Sequence, residues 1–223
     1  FYRLPSNSTE SGYKSKIFRI INLLRKKGAD YQLITSSENS AWLLNVRGRD
    51  IEYTPTPLSC ILINKNRNIN FFCELKKIPL AFRTYFKEIN FIDVGSLENV
   101  LSKINNKNFI LDNSTCSYYY ENIISKNNRI IKDQDPIYHF KAIKNKKEIK
   151  NIKVAHIYDG VALTKYLFWV KRNFNKKKIT EISGSNKLLR FRKQNKKFKF
   201  LSFPTISGTG PNGAIIHYKA EKK

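Results

Sequence analysis

The sequence predicts an α/β fold in which a mixed-sheet layer is followed by the opening of a second region of α+β character. Three observations carry that expectation. Between residues 14 and 131, short β-branched and aromatic runs alternate with amphipathic stretches at helical spacing. A polar crossing, Lys132-Asp-Gln-Asp-Pro136, then breaks the pattern. Beyond it the apolar spacing lengthens into long helices, and these lead to a glycine-rich turn and one more β-branched run.

Residues 1–13 are polar and without periodicity, which reads as a frayed linker remnant. From Lys14 a helix is predicted, because Ile17, Ile20, Ile21 and Leu24 share one face and Gly28 sits where a glycine ends a helix. Residues 31–35 read as a strand. Ser36 or Ser37 can cap a short helix through Trp42 and Leu44, and Pro55 and Pro57 break regular structure after it. Strands are expected at 59–63, 69–73, 91–94 and 109–111, and helices at 78–87, 96–104 and 118–124. This alternation places an α/β domain at 14–131 and a linker at 132–140, with the second domain at 141–223.

In that second domain Ile149, Ile152, His156, Asp159, Leu163, Leu167 and Val170 recur at i+3/i+4, the spacing of one long helix face. Thr180 offers an N-cap to another helix reaching about Lys193. The sequence then turns through Gly208-Thr-Gly210-Pro-Asn-Gly213 into Ala214-Ile-Ile-His-Tyr218, where β-branched residues predict a strand.

Bulk properties narrow the function. A chain of 223 residues is long enough to bury a core, and no apolar run approaches the roughly 20 residues needed to span a bilayer. Cys60, Cys73 and Cys116 are odd in number and lack a C-x-x-C spacing. They support neither a disulfide framework nor a zinc knuckle, and a reducing, cytoplasmic setting is expected. The chain opens at Phe1 and contains no methionine, so the start of translation is expected to lie elsewhere.

With 42 Lys+Arg against 17 Asp+Glu, the formal net charge is +25. An excess of that size attracts phosphate. Lys, Asn and Ile are all abundant together, however, and the cations are scattered in short clusters such as Lys144-Asn-Lys-Lys147 and Lys176-Lys-Lys178. No nucleic-acid-binding motif accompanies them. A solvated basic surface is expected, with no specific nucleic acid as partner.

The glycine turn matches G-x-G-x-x-G, but Pro211 lies inside it and a strand-forming run comes next. A dinucleotide site needs a helix at that point, and a P-loop needs Gly-Lys-Ser/Thr. Both are set aside. His156 and Asp159 stand three apart on a helix, as an acid/base or metal pair or as a structural hydrogen bond. Two ligands alone do not hold a catalytic metal. Arg47 and Asp50 in Arg47-Gly-Arg-Asp50 read as an ion-paired turn or a cleft lining, Trp42 reads as core, and His139 has no informative context.

Thr180-Glu-Ile-Ser183, Leu201-Ser-Phe-Pro-Thr-Ile206 and the run from Gly208 to Tyr218 together resemble the Xaa-Pro aminopeptidases (aminopeptidase P) of the pita-bread metallopeptidases. Ala41-Trp-Leu-Leu-Asn-Val-Arg-Gly-Arg-Asp-Ile51 resembles the creatinase-like domain that precedes their catalytic domain. Lys141-Ala-Ile-Lys144 and Ala155-His-Ile-Tyr-Asp-Gly-Val-Ala162 resemble the first helices of the catalytic domain.

The resemblance implies a creatinase-like α/β domain followed by the incomplete start of a pita-bread domain. It implies release of an N-terminal residue preceding proline, with a peptide substrate and a dinuclear site, usually manganese, built from two Asp, one His and two Glu. Those ligands are expected after His217, so no metal ligand and no cofactor are assigned to this sequence, which is expected to be inactive as an isolated piece. His217 is the one catalytic assignment, expected to end a strand in the pocket and position substrate near the leaving amide nitrogen, a task that suits an imidazole. A homodimer is also implied. A prolidase or creatinase-type hydrolase is the nearest rival reading, and a basic nucleic-acid module or a pseudo-enzyme interaction domain are the others.

Overall fold

Ile17, Ile20, Ile21 and Leu24 form the predicted stripe of helix α1 (Tyr13–Lys26), and all four are buried. Gly28 follows in the left-handed conformation at φ 64°, and the next N–H, of Ala29, donates to Leu24 O at 2.9 Å. That closes the helix with a glycine, as the sequence requires. The computed structural model describes residues 1–5, 8–9, 11–176 and 178–221. Ser6, Asn7 and Glu10 of the expected linker remnant, Lys177 of the 176–178 cluster, and residues 222–223 lie outside the described residues.

In chain order the first unit, Phe1–Lys147, continues with short β-elements and helices. These are β1 (Tyr2–Arg3), β2 (Tyr31–Ile34), α2 (Ser37–Leu44), β3 (Val46–Arg47), β4 (Cys60–Asn64) and β5 (Ile69–Cys73). Then come α3 (Leu80–Tyr85), β6 (Asn90–Asp93), α4 (Leu97–Ser102), β7 (Asn108–Leu111), α5 (Tyr118–Ser125), β8 (Arg129–Lys132) and α6 (Pro136–Ala142). Six strands form one mixed sheet in the order β6-β5-β4-β2-β7-β8. β4 runs antiparallel to β2 and β5, while β2–β7, β7–β8 and β5–β6 are parallel.

Alternation along the strands sorts side chains to two faces. Ile34, Ile61, Ile63, Phe71 and Ile110 pack with α1, α2, α3 and Ile137 of α6. Leu33, Leu62, Phe72, Phe109 and Leu111 pack with Leu97 and Leu101 of α4 and Ile124 of α5. The sheet is therefore covered on both faces, which is why its central strands read as continuous apolar runs. Cys60 and Cys73 belong to opposite faces, and all three cysteines are free and buried. Burial pushes Cys60 and Cys73 up to about 12 and Cys116 up to about 11, so they are held as inert thiols.

Two stretches expected as linkers are structured. Near the N-terminus β1 pairs with β3, and the Phe1 ring meets Phe71 edge-on at 6.2 Å, so the described part of 1–13 is docked rather than frayed. Residues 129–132 form β8 at the sheet edge, and 136–142 form α6, whose Ile137 is fully buried. The polar crossing is itself a core feature. Asp135 is only 3% exposed and caps α6 by accepting from Ile137 N–H at 3.0 Å, while Pro136 sits in the first turn, where a missing N–H costs nothing. The compact unit accordingly runs to Lys147.

The second unit, Glu148–Lys223, holds most of α7 (Lys146–Asn173), then α8 (Glu181–Lys193) and a 3-10 turn, Gly210–Ala214. Thr180 caps α8 in a reciprocal box: its hydroxyl accepts from Ser183 N–H at 3.1 Å, and Ser183 Oγ accepts from Thr180 N–H at 2.9 Å. The long helix is present as predicted, but its apolar face is open, with Ile149, Ile152, Leu163 and Leu167 exposed and Ala162 alone buried among the described residues of α7.

Candidate functional site

Glu181 opens α8, and a carboxylate in a first turn is favoured by the unpaired N–H groups and dipole of the helix. Its two oxygens collect three downstream points of the chain. Oε1 accepts from Thr209 N–H at 2.7 Å, Oε2 accepts from Tyr218 O–H at 2.7 Å, and Asn212 Nδ2 donates to both, at 3.1 and 3.3 Å. Asn212 Nδ2 also donates to Tyr218 Oη at 3.0 Å. The glycine-rich segment is thus pinned at its start, middle and end by one carboxylate. The Tyr218 hydroxyl, chiefly, holds the Glu181 carboxyl below its ordinary range, and Glu181 in turn raises the Tyr218 phenol.

Two glycines are needed for the path. A Cβ at Gly208 would lie 2.8 Å from Asn212 O, so only glycine allows that backbone approach, and Gly210 has φ 55°. Residues 214–218 do not form the predicted strand. The chain passes from the 3-10 turn into further turns, since no strand is hydrogen-bonded to it among the described residues and a lone strand leaves its backbone groups unpaired. His217 sits next to the pinned Tyr218, in the left-handed conformation at φ 55° and exposed, and Ile216 is 86% exposed. A non-glycine residue in that conformation is uncommon and is tolerated here beside a fixed anchor.

The other sequence candidates resolve into structural roles. His156 does not pair with Asp159: its Nδ1 lies 2.9 Å from Ile152 O one turn earlier, while Asp159 accepts a fork from Arg192 Nε at 2.6 Å and Nη2 at 3.2 Å. A planar guanidinium outcompetes an imidazole for a carboxylate because it offers two parallel donors. In the first unit Arg47 donates to Val46 O at 2.8 Å, and Asp50 accepts from Leu58 N–H at 2.9 Å and from Lys77 at 3.1 Å. Trp42 packs against the core beneath the Lys16 ammonium, 3.8 Å from the ring centroid. His139 is exposed on α6 beside the Phe140 ring.

Sequence reasoning missed a buried polar network in the first unit. Asp135 accepts from Asn39 Nδ2 at 2.7 Å and Gln32 Nε2 at 3.1 Å, and its N–H donates to Asp112 Oδ2 at 2.8 Å. Lys141 Nζ donates to Asn39 Oδ1 at 2.5 Å. Burial raises the Asp135 carboxyl; burial also opposes ionisation of Asp112, but the N–H groups of Asp135 and Ser114 and the Ser114 hydroxyl outweigh it and hold that carboxyl low. The signal was the Asp-Pro pair at 135–136, which reads as a cap followed by a first-turn proline as readily as it reads as a linker.

No three His, Cys, Asp or Glu side chains stand together as a metal-holding group among the described residues. Glu181, the carboxylate at the glycine segment, is already engaged by three donor groups. The residues present therefore do not fit a dinuclear centre.

Residues 1–148 match the Creatinase/Prolidase N-terminal domain, and residues 150–223 match Metallopeptidase family M24. The Xaa-Pro aminopeptidase ApepP of Drosophila melanogaster is 37% identical over 207 residues, covering 90% of this chain and 33% of the fly enzyme. Among solved structures, the X-prolyl aminopeptidase of Caenorhabditis elegans, described as a cytosolic enzyme with a di-nuclear active site, superimposes with a TM-score of 0.90 at 27% identity. That match covers 98% of this chain and 37% of the nematode chain. The Xaa-Pro dipeptidase from Bacillus anthracis shares the fold, with a TM-score of 0.59 at 19% identity over 82% of this chain and 49% of its own. The chain spans about a third of the length of the curated relatives it matches.

Proposed function

This chain belongs to the creatinase/prolidase N-terminal domain family, continues into metallopeptidase family M24 sequence, and has Xaa-Pro aminopeptidases as its relatives; from that premise we propose that it serves metal-dependent release of an N-terminal residue preceding proline. The observation that carries the reading is the Glu181 clamp. It spends one carboxylate on fixing the backbone of residues 208–218, the segment whose sequence resembles the family's pocket, and it leaves His217 beside the fixed end with its ring exposed. In the proposed role His217 donates a hydrogen bond at the substrate's leaving nitrogen, and the clamp limits how far that donor can drift, since positioning errors of about 1 Å cost rate steeply. The substrate is a peptide with proline second. Manganese as the metal, a cytoplasmic location and a homodimer complete the proposal, by likeness to the family.

The test joins residues 1–221 of this chain to the part of the fly enzyme beyond its matched third, and assays an Xaa-Pro peptide. Cleavage by the chimera is expected, with kcat/KM lowered about 10²-fold by His217→Ala, the low end for a positioned acid/base group. Equal kcat/KM in the His217→Ala chimera overturns the assignment of His217, and a folded, metal-loaded chimera without Xaa-Pro cleavage overturns the activity.

A further inference from the structure

The loops that lead into β7 and β8 reach the same end of the sheet because those strands are parallel neighbours. Between them lies an open depression of about 730 Å³, lined by residues 105–108 and 125–129. Its lining is three cations, five asparagines and a serine, with no carboxylate, aromatic or aliphatic side chain. We propose that this depression is a binding site for a compact oligophosphate anion, held by Lys107, Lys126 and Arg129 with amide donors from Asn106 and Asn127 in support.

The loops are prebuilt. Asn106 N–H donates to Asn127 O at 2.8 Å, Arg129 N–H to Lys107 O at 2.9 Å, and Lys107 N–H to Asn128 Oδ1 at 3.0 Å. Asn128 Nδ2 in turn donates to Ile104 O at 2.6 Å and Ile124 O at 3.2 Å. Asn108 Nδ2 donates to Gly28 O at 2.9 Å and Asn105 Nδ2 to Lys103 O at 3.3 Å, so three of the lining asparagines are committed to the loops, while the side chains of Lys107, Lys126 and Arg129 enter no ion pair or side-chain hydrogen bond among the described residues. The acid that lies in the field of Lys107, Asp30, is committed to Lys65 at 2.7 Å and to Asn108 N–H at 2.9 Å. Three cations without an ion-pair partner among the described residues, set around one polar bowl, attract a multivalent anion, and ionised hydrogen bonds to phosphate oxygens are the strong kind. The absence of a ring in the lining argues against recognition of a base, because bases are held by stacking on aromatic side chains. The chemistry recognised is the phosphate chain, free or as the tail of a nucleotide.

Calorimetric titration of the full chain with sodium tripolyphosphate at near-physiological salt tests this. The triple variant Lys107→Ala, Lys126→Ala, Arg129→Ala should bind about tenfold or more weakly. A charge-matched triple at exposed positions elsewhere, Lys196→Ala, Lys197→Ala, Lys199→Ala, should stay within about twofold if the site is local. Lys126→Glu alone, at an exposed position, should also weaken binding and keeps the test independent of the triple's folding. Parallel titrations with ATP and with adenosine tell the sources apart: ATP matching tripolyphosphate points to a nucleotide tail, and tripolyphosphate alone points to free oligophosphate. No saturable binding, equal weakening in both triples, or displacement by oligo-dT that depends equally on both clusters would each overturn the site in favour of diffuse charge.

Discussion

The first unit buries both faces of a sheet, whereas the described residues of the second leave their apolar side chains exposed or only partly covered, with Ala162 alone buried. In the first, Phe71, Phe72, Phe109, Leu43 and Ile61 are all essentially inaccessible. In the second, Leu167, Phe168, Phe174 and Ile157 are more than half exposed, although α7 carries apolar residues at the i+3/i+4 spacing of a helix face. Amphipathic periodicity specifies a helix and the face it would bury. Whether that face stabilises anything depends on what stands opposite it. The two units show both outcomes in one chain.

The largest expected effect tests that contrast directly. Phe109→Ala should lower stability by about 3–5 kcal/mol, because it opens a cavity under α4 and α5. Leu167→Ala, an apolar deletion on the exposed face, should stay within about 0.5 kcal/mol. Urea unfolding of both variants decides it. A Leu167→Ala cost near that of Phe109→Ala would show that the second unit also closes a core in solution.

Asp135→Asn gives a smaller effect with a defined pH dependence. An amide keeps one acceptor oxygen, so its nitrogen would face the donor of Asn39 or, turned over, those of Ile137 and Gln32, at a cost of about 1–3 kcal/mol while the wild-type carboxyl is protonated. The folded Asp135 carboxyl titrates above its ordinary value of 3.8, so wild-type stability from this group is full below that value and falls as pH rises through the folded value. Asp112 runs the opposite way, its contribution being present at neutral pH and lost only in stronger acid. The deficit of Asp135→Asn should therefore shrink as pH is raised from about 4. Thermal unfolding across that range checks it, and a deficit that grows with pH would mean the ionised form is the stabilised one.

The smallest effect belongs to the second unit's own strongest local device. Thr180→Ala removes half of the capping box and should cost about 0.5–2 kcal/mol of helix stability. Loosening the first turn of α8 also moves Glu181, so amide exchange at Thr209, whose N–H the carboxylate holds, should speed up together with that of Ser183. Faster exchange at Ser183 with Thr209 unchanged would uncouple the clamp from the helix.

Much was determined by sequence because it is local. The 3.6-residue stripe and Gly28 defined α1, the Thr180 cap defined the start of α8, and β-branched runs located β2, β4, β5, β6 and β7. Each rests on interactions within a few residues, which a linear reading can see. The resemblance in residues 208–218 likewise singled out the segment that Glu181 clamps. Tertiary structure decided what depends on partners far along the chain. β8 and α6 emerged from a stretch that reads as polar, because Asp135 finds Asn39 and Gln32, 96 and 103 residues away. The strand predicted at 214–218 became a turn, because pairing is a property of two strands and propensity belongs to one. His156 lost Asp159 to Arg192, 33 residues on, because the better-matched donor wins a carboxylate whatever the sequence spacing favours.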